Sequence, residues 1–279
     1  MKVLEDVLVD MKCKGVNNKI MLDNVLDVAQ VYVDALCGDA SYREGTWKHT
    51  HENLNKLFDT GKTVVRTAYK DFPSNYYKDV KTGVKTEKLR AELKNITESV
   101  IKGGYPRDTL LFARHLAGKE KSVNWFLKSM KKRLKADPPE TIVYVATGAL
   151  EPALLISCAL NVNDIVPIRF STFRHTDTDV KVPYNMPEDY LKEKIEGKNV
   201  FVVEDVVMSG KSLLSVLSFV ADRKPSQLRA GAVMSGRTPR DANWYPEYLS
   251  ESGMKHGRLV PDYDILGKPD LFWTYKLKK

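Results

Sequence analysis

Four consecutive apolar residues, Val200, Phe201, Val202 and Val203, run without interruption into two carboxylates, Glu204 and Asp205, and then into a small-residue turn and an apolar helical pattern. An unbroken apolar run is expected of a central parallel strand covered by helices on both faces, whereas a strand with one wet face alternates. Three further β-rich runs, 142–146, 165–170 and 228–234, are separated by helical segments. The second half is therefore predicted as an α/β domain built on a parallel sheet. Ligands of such sheets sit beyond the carboxyl ends of the strands, which directs attention to the acid pair and the turn after it.

In that turn, Met208, Ser209, Gly210, Lys211 and Ser212 open a helix bearing Leu213, Leu214, Val216, Leu217 and Val220. Gly210 lets the backbone come close to a ligand, and Ser209, Ser212 and the first N–H groups of the helix suit a phosphate. The triplet Gly210, Lys211, Ser212 is not a nucleoside-triphosphate P-loop, because that motif needs a glycine where Asp205 stands. Ionised carboxylates only accept hydrogen bonds, so Glu204 and Asp205 suit the hydroxyls of a ribose instead.

The first half has a different texture. Val123, Phe126, Leu127, Met130 and Leu134 recur at helical spacing, and the region is predicted as mainly α up to a boundary at Asp137, Pro138 and Pro139. This divides the chain into a helical region, 1–138, and an α/β region, 139–279. The net charge of +8 is concentrated at residues 119–135, where seven Lys or Arg stand beside one Glu. Such a run is compatible with a nucleic-acid partner but more commonly marks a solvated helix face, so nucleic acid is possible without being favoured. Cys13, Cys37 and Cys158 have neither disulfide nor zinc spacing, and no run reaches the roughly 20 apolar residues of a membrane helix. A cytoplasmic protein without a membrane partner is expected.

Val202 to Ser212, as strand, acid pair, turn and helix together, resembles the PRPP-binding signature of type I phosphoribosyltransferases. Within that family the segment Gly197 to Asp205, the quartet Arg237, Thr238, Pro239, Arg240, and Pro269, Asp270, Leu271, Phe272 are most similar to hypoxanthine-guanine phosphoribosyltransferases, so the resemblance covers about residues 140–279. It implies a phosphoribosyltransferase-like core and an Mg²⁺-dependent enzyme of purine salvage, a homo-oligomer, that moves the 5-phosphoribosyl group of PRPP to a nucleobase nitrogen. Glu204 and Asp205 would hold the ribose and Mg²⁺, while Met208 to Ser212 would anchor the 5-phosphate. Thr147, Gly148 and Ala149 stand where the family has its pyrophosphate loop, with Arg237 as a further pyrophosphate contact. Arg174 and His175 lie in the stretch 172–187 corresponding to a mobile loop, His175 as a catalytic acid and Arg174 or Lys181 as a neutralising cation. Phe272 or Trp273 would stack on the base. Lys102 to Tyr105 superficially resembles a second pyrophosphate loop but reads as a helix-ending turn, since no strand precedes it.

Three positions depart from the hypoxanthine-guanine pattern: Met208 replaces an Asp that accepts the purine proton, Gly236 a Lys that reads the 6-oxo group, and Lys278 a metal-binding Asp. A thioether accepts no proton, so general-base catalysis from position 208 is excluded. An alternative therefore stays open, a non-catalytic sensor of PRPP or a nucleotide whose basic helical region contacts nucleic acid. In a third reading residues 1–138 are an oligomerisation or lid module.

Overall fold

A computed structural model of the chain describes residues 4–12, 18–38, 46–68, 85–102, 120–146, 148–170, 179–207, 210–235, 257–263 and 269–277. The chain divides into two compact units, one formed by residues 1–120 with Pro183–Met186 and the other by 121–182 with 187–279.

The first unit contains four helices, α1 (Leu4–Lys12), α2 (Asn18–Gly38), α3 (Trp47–Ala68) and α4 (Lys85–Lys102). Helix α2 is apolar around most of its circumference, and Met21, Leu22, Val25, Val28, Ala29, Tyr32, Val33 and Leu36 are all buried, as a central helix requires. Helix α3 is two-faced. Leu54, Leu57, Phe58, Val64 and Val65 are buried, while Lys48, Glu52, Asn55, Lys56 and Asp59 face water. The predicted helical first half is found.

The second unit begins with α5 (Glu120–Leu134) and continues as β1 (Thr141–Ala146), α6 (Leu150–Leu160), β2 (Asp164–Arg169), α7 (Glu188–Ile195), β3 (Asn199–Val207), α8 (Lys211–Ala221), β4 (Gln227–Ser235), β5 (Gly257–Tyr263) and β6 (Pro269–Leu277). One six-stranded sheet results, in the order β2-β1-β3-β4-β6-β5. The first four strands are parallel, and β6 runs antiparallel to both β4 and β5. The expected α/β class is thus correct, with a mixed rather than wholly parallel sheet.

The expected boundary at 137–139 falls inside the second unit, because α5 joins the sheet. Phe126 on α5 stacks on Phe272 of β6 at 5.8 Å between ring centroids, and Phe272 meets Phe201 of β3 at 6.1 Å. Gly231 of β4 makes room for this cluster, since a Cβ there would lie 2.7 Å from Phe201 Cζ and 3.2 Å from Phe272 Cε1. The proline pair marks a latch instead. Asn199 donates from Nδ2 to Asp137 Oδ1 (3.0 Å) and to the Pro138 carbonyl (3.2 Å), while Arg229 donates to the Asp137 carbonyl (2.6 Å) and to Asn199 Oδ1 (3.1 Å). These bonds tie the α5–β1 connection to the amino-terminal ends of β3 and β4.

Cys37 and Cys158 are half-buried thiols. Among the described residues no helix is long and apolar enough to cross a membrane.

Candidate functional site

Strand order fixes where a ligand can enter. The connection from β1 leads to β2 on one side of it, and the next one crosses to β3 on the other, so the direction of winding reverses between β1 and β3. At such a point the two connections leave in opposite directions and a crevice opens beyond the carboxyl ends of the strands. Pairing of β1 with β3 ends at Tyr144 and Val203, although β1 continues beside β2 to Ala146 and β3 continues beside β4 to Val207. The two central strands therefore part company one residue before Glu204.

Glu204 and Asp205 were expected just beyond the strand, but they lie within it, because β4 keeps pairing with β3 past them. Both are buried, at 7% and 9% exposure. Burial pushes the Glu204 carboxyl well above the ordinary carboxylate value of 4.5, and the negative charge of Asp205 and a hydrogen bond to it push the same way. Glu204 therefore holds its proton more tightly than an ordinary carboxyl does.

The turn after β1 closes on that charge. A Cβ on Gly148 would meet the Asp205 side chain, 2.6 Å from Cγ and 2.8 Å from Oδ1. Only a glycine lets the backbone pass so close. The turn leads straight into α6, whose first helical residues, Leu150 and Glu151, are buried, and Ala149 N–H donates to the Val145 carbonyl at 3.3 Å. Glu151, 3% exposed in the first turn of α6, escaped the sequence reading, although an acid in a first helical turn is the expected signal of a favourable helix-end interaction.

On the opposite lip, Gly210 occupies the N-cap of α8 in the left-handed region (φ +76°), and no side chain caps the helix. Leu214 N–H returns to the Gly210 carbonyl at 2.9 Å, and the preceding N–H groups, of Lys211, Ser212 and Leu213, belong to the first turn, where amides lack intrahelical acceptors. Ser212 is half-buried and Lys211 exposed. The Lys211 Nζ stands 5.8 Å from the ring centroid of Phe170, the residue after β2, a contact sequence reasoning did not foresee.

Gly148 and Asp205 are thus brought together, with Ala149 buried behind the turn and Gly210, Lys211 and Ser212 at the head of α8. Phe272 and Trp273 are not placed as expected. They are 2% and 3% exposed, and besides Phe126 the guanidinium of Arg133 lies over the Phe272 ring at 4.9 Å. Among the described residues, Phe126, Phe201 and Arg133 pack against the Phe272 ring. Thr147, Arg174, His175, Met208, Ser209, Gly236, Arg237 and Lys278 lie outside the described residues.

The described residues of the crevice fit an Mg²⁺ ion that arrives with a phosphorylated substrate. Among the described residues no group of three or more His, Cys, Asp or Glu is arranged to hold a metal. Glu204 and Asp205 are the two side chains of the crevice that could hold it, and Mg²⁺ is commonly bound by one or two carboxylates plus substrate phosphates.

Four parallel strands with a crevice at the winding reversal, a glycine turn against an acid and a glycine-capped helix are the features of an α/β ligand-binding unit. Residues 122–255 match the family model described as "Phosphoribosyl transferase domain". The chain carries a type I phosphoribosyltransferase domain with a distant likeness to the hypoxanthine-guanine enzymes. Over 73 residues it is 30% identical to the hypoxanthine-guanine phosphoribosyltransferases of Bos taurus and Homo sapiens, an alignment that covers 26% of this chain and 30% of each relative. A solved hypoxanthine phosphoribosyltransferase from Trypanosoma cruzi, in complex with the product IMP, is 21% identical with a TM-score of 0.34, over 41% of this chain and 67% of that one.

Proposed function

We propose that this protein transfers the 5-phosphoribosyl group of PRPP to a ring nitrogen of a nucleobase, with purines as the substrate class. The bond from the anomeric carbon to the pyrophosphate oxygen breaks, a bond from the same carbon to nitrogen forms, and the proton displaced from the base leaves to solvent. The observation that carries this reading is the approach of Gly148 to Asp205 across from the glycine-capped start of α8. One lip offers backbone to a leaving pyrophosphate, the other offers first-turn amides to a 5-phosphate, and a single carboxylate lies between them to accept from a ribose hydroxyl.

Positive charge grows on the sugar ring as pyrophosphate departs, and a fixed carboxylate nearby favours it more than it favours the ground state. Glu204 serves through its hydrogen bond with Asp205, which holds that carboxylate in place. Mg²⁺, when bound with PRPP, neutralises charge on the pyrophosphate oxygens. Met208 lies in the anchor loop and does not act as a base, so the acceptor nitrogen loses its proton by another route.

The test is a panel of nucleobases with PRPP and Mg²⁺, scored for pyrophosphate. Release with at least one base is expected, and Asp205→Asn lowers turnover at least tenfold, a barrier change of about 1.4 kcal/mol or more. Unchanged kinetics in that variant would remove Asp205 from the reaction. Burial of Phe272, together with Met208, Gly236 and Lys278, favours a second reading, a sensor that binds PRPP or a nucleotide without turning it over. PRPP binding without pyrophosphate release from any base in the panel selects it.

A further inference from the structure

The backbone of Lys211 belongs to the lip that faces a 5-phosphate, whereas its ammonium lies beside a different strand. Lys211 Nζ stands 5.8 Å from the ring centroid of Phe170, the residue that follows β2. In the sheet β1 lies between β2 and β3, so this contact joins the chain leaving β2 to the chain leaving β3 across the carboxyl end of β1. The turn that carries Gly148 begins at that same end. Adjacent strands lie about 4.8 Å apart, which sets β2 and β3 about 10 Å apart, and the long stem of a lysine supplies much of such a reach. Phe170 is 4% exposed, so packing fixes its ring, while Lys211 is exposed to water. A cation within about 6 Å of a ring centroid is attracted to the face of the ring, which biases the ammonium toward the β2 side of the crevice.

Charge gives that placement its use. A leaving pyrophosphate brings several negative charges, and the Gly148 turn brings no cation to meet them. From Gly148 to Pro152 the only titratable side chain is Glu151, 3% exposed in the first turn of α6, and Asp205 packs against Gly148 itself. Backbone N–H groups can hold pyrophosphate oxygens, but acidic side chains so near the turn work against an anion there. The 5-phosphate lip needs less help. The N–H groups of Lys211, Ser212 and Leu213 stand in the first turn of α8, where amides lack intrahelical acceptors and favour an anion without any side chain.

We infer that the Lys211 ammonium serves the pyrophosphate end of PRPP, not the 5-phosphate anchored by its own backbone, and that Phe170 positions it there. The inference rests on the reading of the crevice as a PRPP site. As the bond from the anomeric carbon to the pyrophosphate oxygen breaks, its electron pair goes to that oxygen, and the ammonium offsets the charge that grows there while keeping its own proton. Lys211 is then a catalytic residue that touches the leaving group, and Phe170, which touches no substrate, is a positioning residue.

The full-length protein is titrated by calorimetry with PRPP and with ribose 5-phosphate, Mg²⁺ present in both cases. The two ligands share sugar and 5-phosphate and differ in the pyrophosphate. Lys211→Met is expected to weaken PRPP at least about tenfold, as loss of a hydrogen bond to a charged group does, and to leave ribose 5-phosphate within about twofold. Phe170→Leu is expected to show the same selective loss at about three- to fivefold, and Phe170→Tyr, which keeps an aromatic face, restores the wild-type ratio of the two affinities. Equal weakening of both ligands in Lys211→Met assigns the ammonium to the 5-phosphate and overturns the inference. A Phe170→Leu protein that holds the wild-type ratio, or loses both ligands alike, strips Phe170 of the positioning role. A wild-type protein that binds PRPP no tighter than ribose 5-phosphate sinks the functional reading together with this inference. A wild type that prefers PRPP, with a Lys211→Met variant that prefers it as strongly, sinks this inference alone.

Discussion

Replacing Gly148 by alanine tests the candidate site at its tightest point. The new Cβ would stand closest to Asp205 Oδ2 and 2.6 Å from Cγ, where ordinary contact begins at 3.4 Å, so the carboxylate must retreat by about 1 Å. Asp205 is 9% exposed and has little room for that retreat except by turning away from the crevice. Misplacing a reacting or binding group by about 1 Å costs up to roughly a hundredfold, so PRPP affinity and turnover are expected to fall ten- to a hundredfold in Gly148→Ala. Gly197→Ala is the control. Gly197 has φ +69° with no atom within 4 Å of a would-be Cβ, and it lies in the turn before β3, at the far end of that strand from the acid pair. That variant suffers backbone strain of about 1–2 kcal/mol and leaves PRPP binding alone. Calorimetry with PRPP and Mg²⁺, paired with urea denaturation, separates the two outcomes. The reasoning is refuted if Gly148→Ala binds PRPP as the wild type does, or if it loses several kcal/mol of stability with its affinity intact, since the close approach would then be packing and nothing more.

Glu204→Gln keeps a donor toward Asp205 but cannot ionise. The native pKa of Glu204 is raised above 4.5, so the folded state holds this proton more tightly than the unfolded state does. The stability it confers is intact below pH 4.5 and is lost as pH rises from there toward the native pKa, at up to about 1.4 kcal/mol per pH unit. Urea denaturation should therefore show the Gln variant gaining on the wild type as pH rises above 4.5; parallel profiles would mean that the folded state does not hold the Glu204 proton more tightly. On α5, Lys128, Lys131 and Lys132 are exposed, as is Lys135 just after it, whereas Arg133 lies over Phe272 and should be left in place. Lys131→Ala with Lys132→Ala is expected to leave pyrophosphate release unchanged and stability within about 0.5 kcal/mol, and RNA binding that weakens severalfold in this variant, with a reduced salt slope, would favour the sensor reading instead.

What could be read from the sequence follows the range of the forces involved. The run Val200–Val203 announced a central strand because burial on both faces is written in four adjacent residues. How far that strand runs was not legible, for Glu204 to Val207 stay in the sheet only because β4 pairs with them, and β4 lies beyond α8 in the chain. Helix α5 showed its apolar face plainly, but not what the face covers. Its partner Phe272 is near the other end of the chain, and that ring fits beside Phe201 because Gly231 has no side chain. For the same reason a motif match at Pro269–Phe272 suggested a base-stacking ring while the packing makes it core.

The acid pair illustrates a subtler limit. As adjacent letters, Glu204 and Asp205 suggest two equivalent carboxylates gripping one diol. Burial breaks the equivalence, because desolvating two neighbouring negative charges costs more than protonating one of them. The group that protonates becomes a donor, and its natural acceptor is the carboxylate that stays charged. Glu204 is the one whose proton is held more tightly, and Asp205 is the one that faces Gly148. A ribose hydroxyl would then meet a preorganised acceptor, and a growing positive charge on the sugar would meet one carboxylate that does not need to reorient. On this account Glu204→Gln should preserve most of the turnover that Asp205→Asn removes, an asymmetry that two equivalent carboxylates would not produce.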